Sequence, residues 1–480
     1  MEKNMKRASG VLMHVSTLWG DYSEGSFGKA ALEWIDYLAD CGFTYWQVLP
    51  FCLPDDCNSP YKSFSAFSCN PNFIDLELLR ADGLLTESEL VSARQTTPYY
   101  CEFDRLSTER MALLSKAADR FIGWDKVDEF LNAHPHTADF CKFMALRVSN
   151  ADKTWQEWNN TTPDEKTLKV WRFSQYVFFE QWRKIHEYAK KKNIKIIGDI
   201  PIYVASDSSD VRFSPELFQL DKKGYPKRVA GCPPDYFCED GQLWGNPLYD
   251  WDKMKADGYK WWRERIRFMT ELFDGVRIDH FRGLSSYYSI PGDAETARDG
   301  KWVKGPGMEL VRAIKEEAGD ALIIAEDLGD IDDDVRALVD ESGFPGMRVF
   351  QFAFFGNRNS PHLPHSYINN CVAYTGTHDN NTLLGFIWEN AEHRDEILEY
   401  CGYSSPDWNA CYDSILRTMF ESSAGLVILP VQDLLLYGSD TRMNKPGEKD
   451  GNWSLRLTKD QLQAVNRAKF RRFNEIYGRR

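Results

Sequence analysis

The sequence lacks any run of about 18 uninterrupted apolar residues, which is the length that a membrane-spanning helix requires. The longest candidate, residues 425–438, is interrupted by Gln432 and Asp433. The N-terminus has three basic residues, but only a short apolar stretch follows them and no small-residue cleavage site comes next. This pattern does not match a signal peptide. We therefore expect a protein that acts in the cytoplasm, away from the membrane.

Positive charge is also scarce, because 58 Lys and Arg stand against 72 Asp and Glu, for a net charge of −14. A nucleic-acid-binding protein usually needs a basic surface to replace counterions, so we expect no nucleic-acid partner. The eleven cysteines include no CxxC pair, which argues against a disulfide framework and favours reduced thiols. No DxDxDG calcium loop and no glycine-rich phosphate loop occurs. The sequence thus predicts no metal, no cofactor and no nucleotide-linked donor.

Aromatic residues, by contrast, are plentiful at 14% of the chain. Sugar rings present flat C–H faces that stack on aromatic rings, so this composition suits a carbohydrate-binding cleft. Large apolar cores use aromatic residues as well. The aromatic content alone therefore favours a sugar ligand only weakly.

Short apolar runs recur along the chain, and several are followed by helical patterns. This alternation is typical of an α/β protein whose parallel strands close into a (β/α)8 TIM barrel. The eight predicted strands are residues 11–18, 45–50, 194–204, 275–281, 322–328, 347–352, 372–379 and 426–435.

Uneven spacing of these runs predicts large, mainly helical insertions at the C-terminal face of a single catalytic barrel chain, 1–480. The barrel core is expected at about 8–60 and 190–480. A charged, helix-forming stretch at about 62–189 is expected to form a helical insertion subdomain. A segment rich in Pro, Gly and Tyr, about 205–252, is expected to be a long active-site loop, and about 383–423 to be a helical excursion.

Three of the predicted strands end in carboxylates, and catalytic groups of such barrels come from the C-terminal ends of strands. The fourth strand places Arg277 and Asp279 on one face, where the guanidinium would hold Asp279 ionised. Glu326 follows three apolar residues, which favours a raised pKa, and Asp379 ends the seventh strand. Each carboxylate alone is compatible with a plain ion pair or turn. Together they provide the paired carboxylates of glycoside chemistry.

These strand ends belong to a series of longer sequence blocks. The blocks are NSPY (58–61), GDIPIYV (198–204), PPDYF (233–237), GQLWGNPLYDW (241–251), VRIDHFRG (276–283), IIAEDLG (323–329), GTHDNNT (376–382), LPVQDLL (429–435), RMNKPG (442–447) and NW (452–453). Together they resemble the 4-α-glucanotransferase family, the amylomaltases or disproportionating enzymes related to α-amylases. The resemblance runs from near residue 58 to residue 453, in the family's order.

The resemblance implies a retaining transfer of α-1,4-glucan segments between malto-oligosaccharides, starch or glycogen chains, with glucose as a further acceptor. It implies that Asp279 is the nucleophile, Glu326 the general acid and base, and Asp379 the group that stabilises the distorted sugar. The implied substrate-binding residues are Tyr61, Asp199, Tyr236, Phe237, Gln242, Trp244, Arg277, His280 and His378.

Two alternatives remain open from the sequence. An α-1,4-glucan hydrolase on the same barrel would share all three carboxylates and differ only in admitting water to the intermediate. A glucan-binding scaffold without activity would be expected to lack at least one of Asp279, Glu326 and Asp379, and all three are present. The sequence carries no indication of the oligomeric state.

Overall fold

The computed structural model describes residues 5–54, 57–234, 239–355, 358–402 and 408–480. Eight parallel strands form a closed barrel in the order β1-β12-β11-β10-β9-β6-β3-β2, so the predicted TIM-barrel fold is confirmed. The strands are Ala8–Leu12 (β1), Tyr45–Gln47 (β2), Lys195–Ile200 (β3), Arg228–Cys232 (β4), Gln242–Pro247 (β5), Gly275–Ile278 (β6), Ser286–Pro291 (β7), Lys301–Lys304 (β8), Leu322–Ala325 (β9), Gly346–Val349 (β10), Cys371–Tyr374 (β11) and Leu426–Pro430 (β12).

Helices surround this barrel and fill the segments between its strands. They are Lys29–Cys41 (α1), Leu76–Ala81 (α2), Glu87–Leu90 (α3), Phe103–Arg120 (α4), Trp124–Ala133 (α5), Pro135–Ser149 (α6), Glu165–Lys191 (α7), Ser209–Phe213 (α8), Trp251–Ala256 (α9), Lys260–Leu272 (α10), Met308–Ala318 (α11), Asp333–Ser342 (α12), Leu383–Glu389 (α13), Ala391–Tyr400 (α14), Trp408–Glu421 (α15), Val431–Leu435 (α16), Lys459–Gln463 (α17) and Arg467–Ile476 (α18). None of the described helices is long and apolar enough to span a membrane.

Each barrel strand is buried on both faces, which explains why the strands appear in the sequence as continuous apolar runs. Ile197, Ile324 and Ile428 point into the barrel and form its interior cluster. Their chain neighbours Ile196 and Ile323 point outwards and pack under the helices. The alternation of side chains along a strand therefore separates two apolar layers, one inside the barrel and one outside it.

The first predicted strand, residues 11–18, is placed too late in the chain. Strand β1 spans Ala8–Leu12, and Val15–Thr17 forms a 3-10 turn at the barrel mouth. The apolar run continues past the strand because Val15 and Leu18 are buried in the core outside the barrel. Burial alone does not distinguish a strand from a buried turn that follows it.

The segment expected to be a long loop, about 205–252, contains two strands instead. β4 and β5 join β7 and β8 in a separate antiparallel sheet with the order β5-β4-β7-β8. Gly231 lies at a register shift in β4, and Pro247 ends β5. Glycine and proline are depleted in regular strands, so these residues concealed the sheet in the sequence.

The segment expected to be a helical insertion contains helices α2–α7. Trp182 of α7 donates a hydrogen bond from its indole N–H to the carbonyl oxygen of Leu272 at the end of α10, at 2.9 Å. The long helix α7 also packs against α4, α5 and α6 and against α1. It therefore connects the insertion to the helical layer of the barrel. The division of the chain into barrel core and insertions stays a prediction.

Candidate active site

Arg277 lies at the centre of the barrel mouth, where it joins two carboxylates. Its Nη1 donates to both oxygens of Asp199, at 2.9 and 2.8 Å, and its Nη2 lies 2.9 Å from Oδ1 of Asp279. Arg277 and Asp199 are paired residues of neighbouring strands β6 and β3, so both point inwards at the same level. Burial alone would lower the pKa of Arg277, but the two carboxylates raise it well above its ordinary value. The guanidinium is therefore a permanent cation beside Asp279.

Asp279 is the more accessible of these two carboxylates. Its side chain is 31% exposed and lines a cleft, whereas the side chain of Asp199 is fully buried. Burial raises the pKa of Asp199 to about 6, although Arg277 opposes this shift. Asp199 thus lies beneath the cleft as a partner of Arg277, and not on the cleft lining where subsite residues are expected.

Glu326 follows strand β9, adjacent to β6 in the barrel, and accepts two backbone hydrogen bonds. The N–H of His280 donates to Oε2 at 2.6 Å, and the N–H of Leu328 donates to Oε1 at 3.0 Å. Burial raises the pKa of Glu326 to about 7, with Arg277 opposing the shift and Asp279 adding to it. Glu326 can therefore hold a proton near neutral pH, as its apolar strand predicted.

His280 reaches this position through an unusual backbone conformation. Its φ is 52°, in the left-handed region, directly after Asp279. This turn brings the N–H of His280 to Glu326. The residue that follows Asp279 in the chain therefore donates a hydrogen bond to Glu326. Burial lowers the pKa of the His280 imidazole to about 4, so that the ring is neutral. Its ring lies nearly perpendicular to that of Trp244, with centroids 4.9 Å apart.

Asp379 lies in the loop after β11, where its carboxylate has two polar partners. Its Oδ2 lies 3.3 Å from Nε2 of His378, and its Oδ1 accepts from Nδ2 of Asn444 at 2.6 Å. Burial would raise the pKa of Asp379, but His378 and Asn444 outweigh it and lower the pKa to about 2. In return, Asp379 raises the pKa of His378 against the opposing effect of burial.

Tyr61 forms an aromatic wall beside these groups. Its ring stacks on His378 with centroids 5.0 Å apart, and Trp453 lies 5.9 Å from it. The Tyr61 hydroxyl donates to Oδ2 of Asp199 at 2.9 Å. Burial and this carboxylate raise the pKa of Tyr61 well above its ordinary value, so the hydroxyl stays protonated.

The small antiparallel sheet provides another part of the cleft. Trp244 of β5 lines the cleft, and its indole N–H donates to Oε1 of Gln242 at 3.0 Å. Gln242 itself is exposed and does not line the cleft, but it contacts Trp244, which does. The other two predicted aromatic residues of this segment, Tyr236 and Phe237, lie outside the described residues.

The cleft thus unites Asp279, Asp379, His280, His378 and Tyr61. Prediction of individual site residues missed several side chains of the same cleft, although some lie within the quoted sequence blocks. The additional lining residues include Ser59, Lys62, Tyr203, Asn246, Asn444 and Trp453.

Asn444 and Trp453 lie in the RMNKPG and NW blocks, so motif position was the available signal for both. Among the residues that the structure describes, no group of three or more His, Cys, Asp and Glu side chains is arranged to hold a metal ion. The cleft lining supplies Asp279 beside the Arg277 cation and Asp379 beside His378, and Glu326 adjoins this lining through the backbone N–H of His280.

The chain is similar to known proteins over most of its length. The family model described as 4-alpha-glucanotransferase matches residues 13–462. The 4-alpha-glucanotransferase of Streptococcus pneumoniae is 43% identical over 95% of this chain and 94% of its own length. That of Clostridium butyricum is 40% identical over 97% of this chain and 100% of its own. The amylomaltase of Streptococcus agalactiae, solved in complex with acarbose, is 37% identical with a TM-score of 0.94 over 99% of this chain and 100% of its own. The chain therefore belongs to the 4-alpha-glucanotransferase family of glycosyl-transferring enzymes.

Proposed function

We propose that this cleft moves an α-1,4-glucan segment from a malto-oligosaccharide to the 4-hydroxyl of another glucan or of glucose, by a retaining double displacement. Asp279 is the nucleophile, Glu326 the general acid and base, and Asp379 the group that stabilises the reacting sugar. The observation that carries these roles is the contrast between the surroundings of two carboxyl groups. Asp279 pairs with the Arg277 guanidinium at 2.9 Å, whereas burial raises the pKa of Glu326 to about 7.

In the first step, a carboxylate oxygen of Asp279 forms a bond to the anomeric carbon of the donor. The glycosidic C–O bond breaks at the same time, and Glu326 gives its proton to the departing oxygen. In the second step, the deprotonated Glu326 takes the proton of the acceptor 4-hydroxyl. That oxygen attacks the anomeric carbon and releases Asp279. Two inversions return the α configuration, and Glu326 regains its proton.

Asp379 and His378 support the charge that develops between these steps. The sugar acquires oxocarbenium character as the glycosidic bond breaks. Asp379, with a pKa of about 2, stays ionised and can stabilise this charge and bind sugar hydroxyls. The aromatic rings of Tyr61, Trp244 and Trp453 offer surfaces on which sugar rings can stack.

The proposed donors are malto-oligosaccharides and the chains of starch or glycogen, with glucose as an additional acceptor. The family assignment and the acarbose complex of the Streptococcus agalactiae amylomaltase support an α-glucan ligand. We place the enzyme in the cytoplasm, and buried free thiols at Cys41, Cys69 and Cys101 support a reducing compartment.

The overall reaction is tested with the purified protein and pure maltotriose, with the products resolved by chain length over time. Transfer gives glucose together with a ladder of glucans longer than maltotriose. Glucose and maltose alone would mean that water captures the intermediate, and the protein would then act as a hydrolase.

The roles of the carboxylates are tested with Asp279→Ala and Glu326→Ala on a maltosyl fluoride donor in the presence of sodium azide. Fluoride leaves without acid catalysis, so azide can replace whichever carboxylate is missing. We expect a β-azide from Asp279→Ala, because azide enters the vacated nucleophile position. Glu326→Ala should give an α-azide, because azide attacks the glycosyl intermediate. Azide products of the same configuration from both variants would refute the assignment.

A further inference from the structure

The loop that carries His378 and Asp379 is bound at both ends by one buried carboxylate, that of Asp433. The hydroxyl of Thr375, just before the loop, donates to Oδ2 of Asp433 at 2.5 Å. The N–H of Leu383, just after the loop, donates to Oδ1 at 2.8 Å. The residues on either side of segment 376–382 are therefore hydrogen-bonded to the two carboxylate oxygens of Asp433.

Asp433 lies in an environment that is unfavourable for a charge. It is fully buried in the short helix α16, directly after β12, and burial raises its pKa to about 6. Among the described residues, no basic side chain forms an ion pair with it, and the groups that favour its ionised form are Thr375 and Leu383. A buried carboxylate without a cation is costly, and its hydrogen bonds to the loop offset that cost.

The segment that follows α16 contacts the same loop from the other side. The side-chain amide of Asn444 donates to Oδ1 of Asp379 at 2.6 Å, and Nη2 of Arg442 donates to the backbone oxygen of Asp379. Asp379 is thus bound both by residues after α16 and, through the loop ends, by Asp433 within α16.

We propose that Asp433 is a positioning residue that fixes Asp379 and His378 for glucan transfer by binding both ends of their loop. This inference rests on the role proposed above for Asp379. A catalytic carboxylate displaced by about 1 Å can lose on the order of 10²-fold in rate, although it touches the same substrate. A loop bound at both ends to one rigid side chain has little freedom for such a displacement.

The test compares Asp433→Ala with Tyr412→Phe in kcat and KM for maltotriose. The Tyr412 hydroxyl donates to the backbone oxygen of Asp433 at 3.0 Å, so its removal deletes a buried hydrogen bond to α16 and leaves the loop contacts in place. We expect kcat to fall about 10²-fold in Asp433→Ala and to stay within about two-fold in Tyr412→Phe. Equal kcat values in the two variants would overturn the proposal.

Two conservative variants sharpen the result. Asp433→Asn keeps an oxygen for the Leu383 N–H and an amide that can donate to the Thr375 hydroxyl, so it should recover most of the kcat lost in Asp433→Ala. Thr375→Val removes one loop contact without a change in volume and should lower kcat about ten-fold. If Asp433→Ala does not fold, Thr375→Val decides the matter, and a kcat within about two-fold of the unmodified enzyme would overturn the proposal.

The titration of His378, followed by NMR of histidine-labelled protein, reports loop position without any substrate. Burial lowers the pKa of His378 and Asp379 raises it, while Arg277 and Asp199 act on it from the barrel strands. Displacement of the loop relative to these strands in Asp433→Ala should therefore change that pKa. An unshifted His378 titration in folded Asp433→Ala would contradict the proposal. Asp379→Asn separates the role of Asp379 in the reaction from the positioning role of Asp433. Full activity in Asp379→Asn would refute the role of Asp379, whereas the His378 titration in Asp433→Ala would still report on the role of Asp433.

Discussion

Two buried arginines, Arg277 and Arg479, lie at opposite ends of the barrel and have opposite kinds of partner. Arg277, at the C-terminal ends of the strands, binds the carboxylates of Asp199 and Asp279. Arg479 lies where β1 and β12 begin and binds backbone carbonyl oxygens. These acceptors are Phe420 at 2.7 Å, Ala8 at 3.1 Å, and Ala424 and Ser422 at 2.9 Å.

The two environments change the arginines in opposite directions. Carboxylates raise the pKa of Arg277 above its ordinary value despite burial. Burial and the neighbouring Arg7 lower the pKa of Arg479. The charge of Arg277 is thus matched by a carboxylate that faces the substrate cleft, whereas Arg479 contributes its five N–H donors and its charge has no carboxylate partner among these contacts.

This difference separates catalysis from stability within one barrel. In such folds the C-terminal face carries the reaction and the opposite face maintains the closed barrel. The same substitution should therefore lower activity at Arg277 and leave it unchanged at Arg479, although both arginines contribute to the free energy of unfolding. Activity should depend mainly on Arg277, and Arg479 should affect only the free energy of unfolding.

The largest effect is expected for Arg277→Met. Loss of the cation removes the electrostatic support of Asp279, so kcat for maltotriose should fall about 10³-fold. Asp199 is left buried without a cation, which should cost about 3–5 kcal/mol of unfolding free energy. Initial rates of glucose release and urea denaturation measure the two quantities. A kcat within about ten-fold of that of the unmodified enzyme would contradict the catalytic role assigned to Arg277.

The next effect concerns Glu326 and the pH. Glu326 must be protonated to act as an acid, and its pKa lies at about 7, so kcat/KM should fall as the pH rises through that value. Glu326→Gln should lower kcat by about 10²-fold and abolish this alkaline decline. The measurement is the pH profile of maltotriose disproportionation for both proteins.

Two histidines near Glu326 and Asp379 must be considered when this pH profile is interpreted. His280, with a pKa of about 4, is neutral throughout the range and does not titrate there. His378 has a raised pKa and is the competing source of an alkaline decline. Persistence of the decline in Glu326→Gln would assign it to His378 and would remove the evidence for Glu326 as the titrating acid.

The sequence predicted the barrel and its three carboxylates because both follow from local pattern. Apolar runs of strand length predict strands, and parallel strands bring their C-terminal ends together, so Asp279, Glu326 and Asp379 were expected to meet. The order of the strands in the barrel is not local. It places β3 beside β6, and only this pairing shows that Arg277 binds Asp199 as well as Asp279.

Other parts of the site depend on contacts between distant segments. Asn444 lies 65 positions from Asp379 in the chain, and Asp433 lies 58 from Thr375. No periodicity within either segment specifies these hydrogen bonds. The sheet of β4, β5, β7 and β8 was missed for a related reason, because its glycine and proline residues resemble a loop until the partner strands are known.

The smallest effect on activity is expected for Arg479→Met. The carbonyl oxygens of Phe420 and Ser422 also accept from Arg7 and keep that partner, whereas those of Ala8 and Ala424 lose their bonds to Arg479. Removal of a buried charge next to Arg7 offsets part of this loss. The unfolding free energy should therefore fall by only about 1–3 kcal/mol, and kcat should not change.

Urea denaturation and maltotriose kinetics test this variant, with Arg480→Met as the matched control. Arg480 is exposed and pairs with Glu475, at 2.6 Å, so its loss should change the unfolding free energy by less than about 1 kcal/mol. A fall in kcat in Arg479→Met, at a temperature where the variant remains folded, would show that the lower end of the barrel controls the geometry of the cleft. In that case the separation between a catalytic end and a stabilising end would not hold for this barrel.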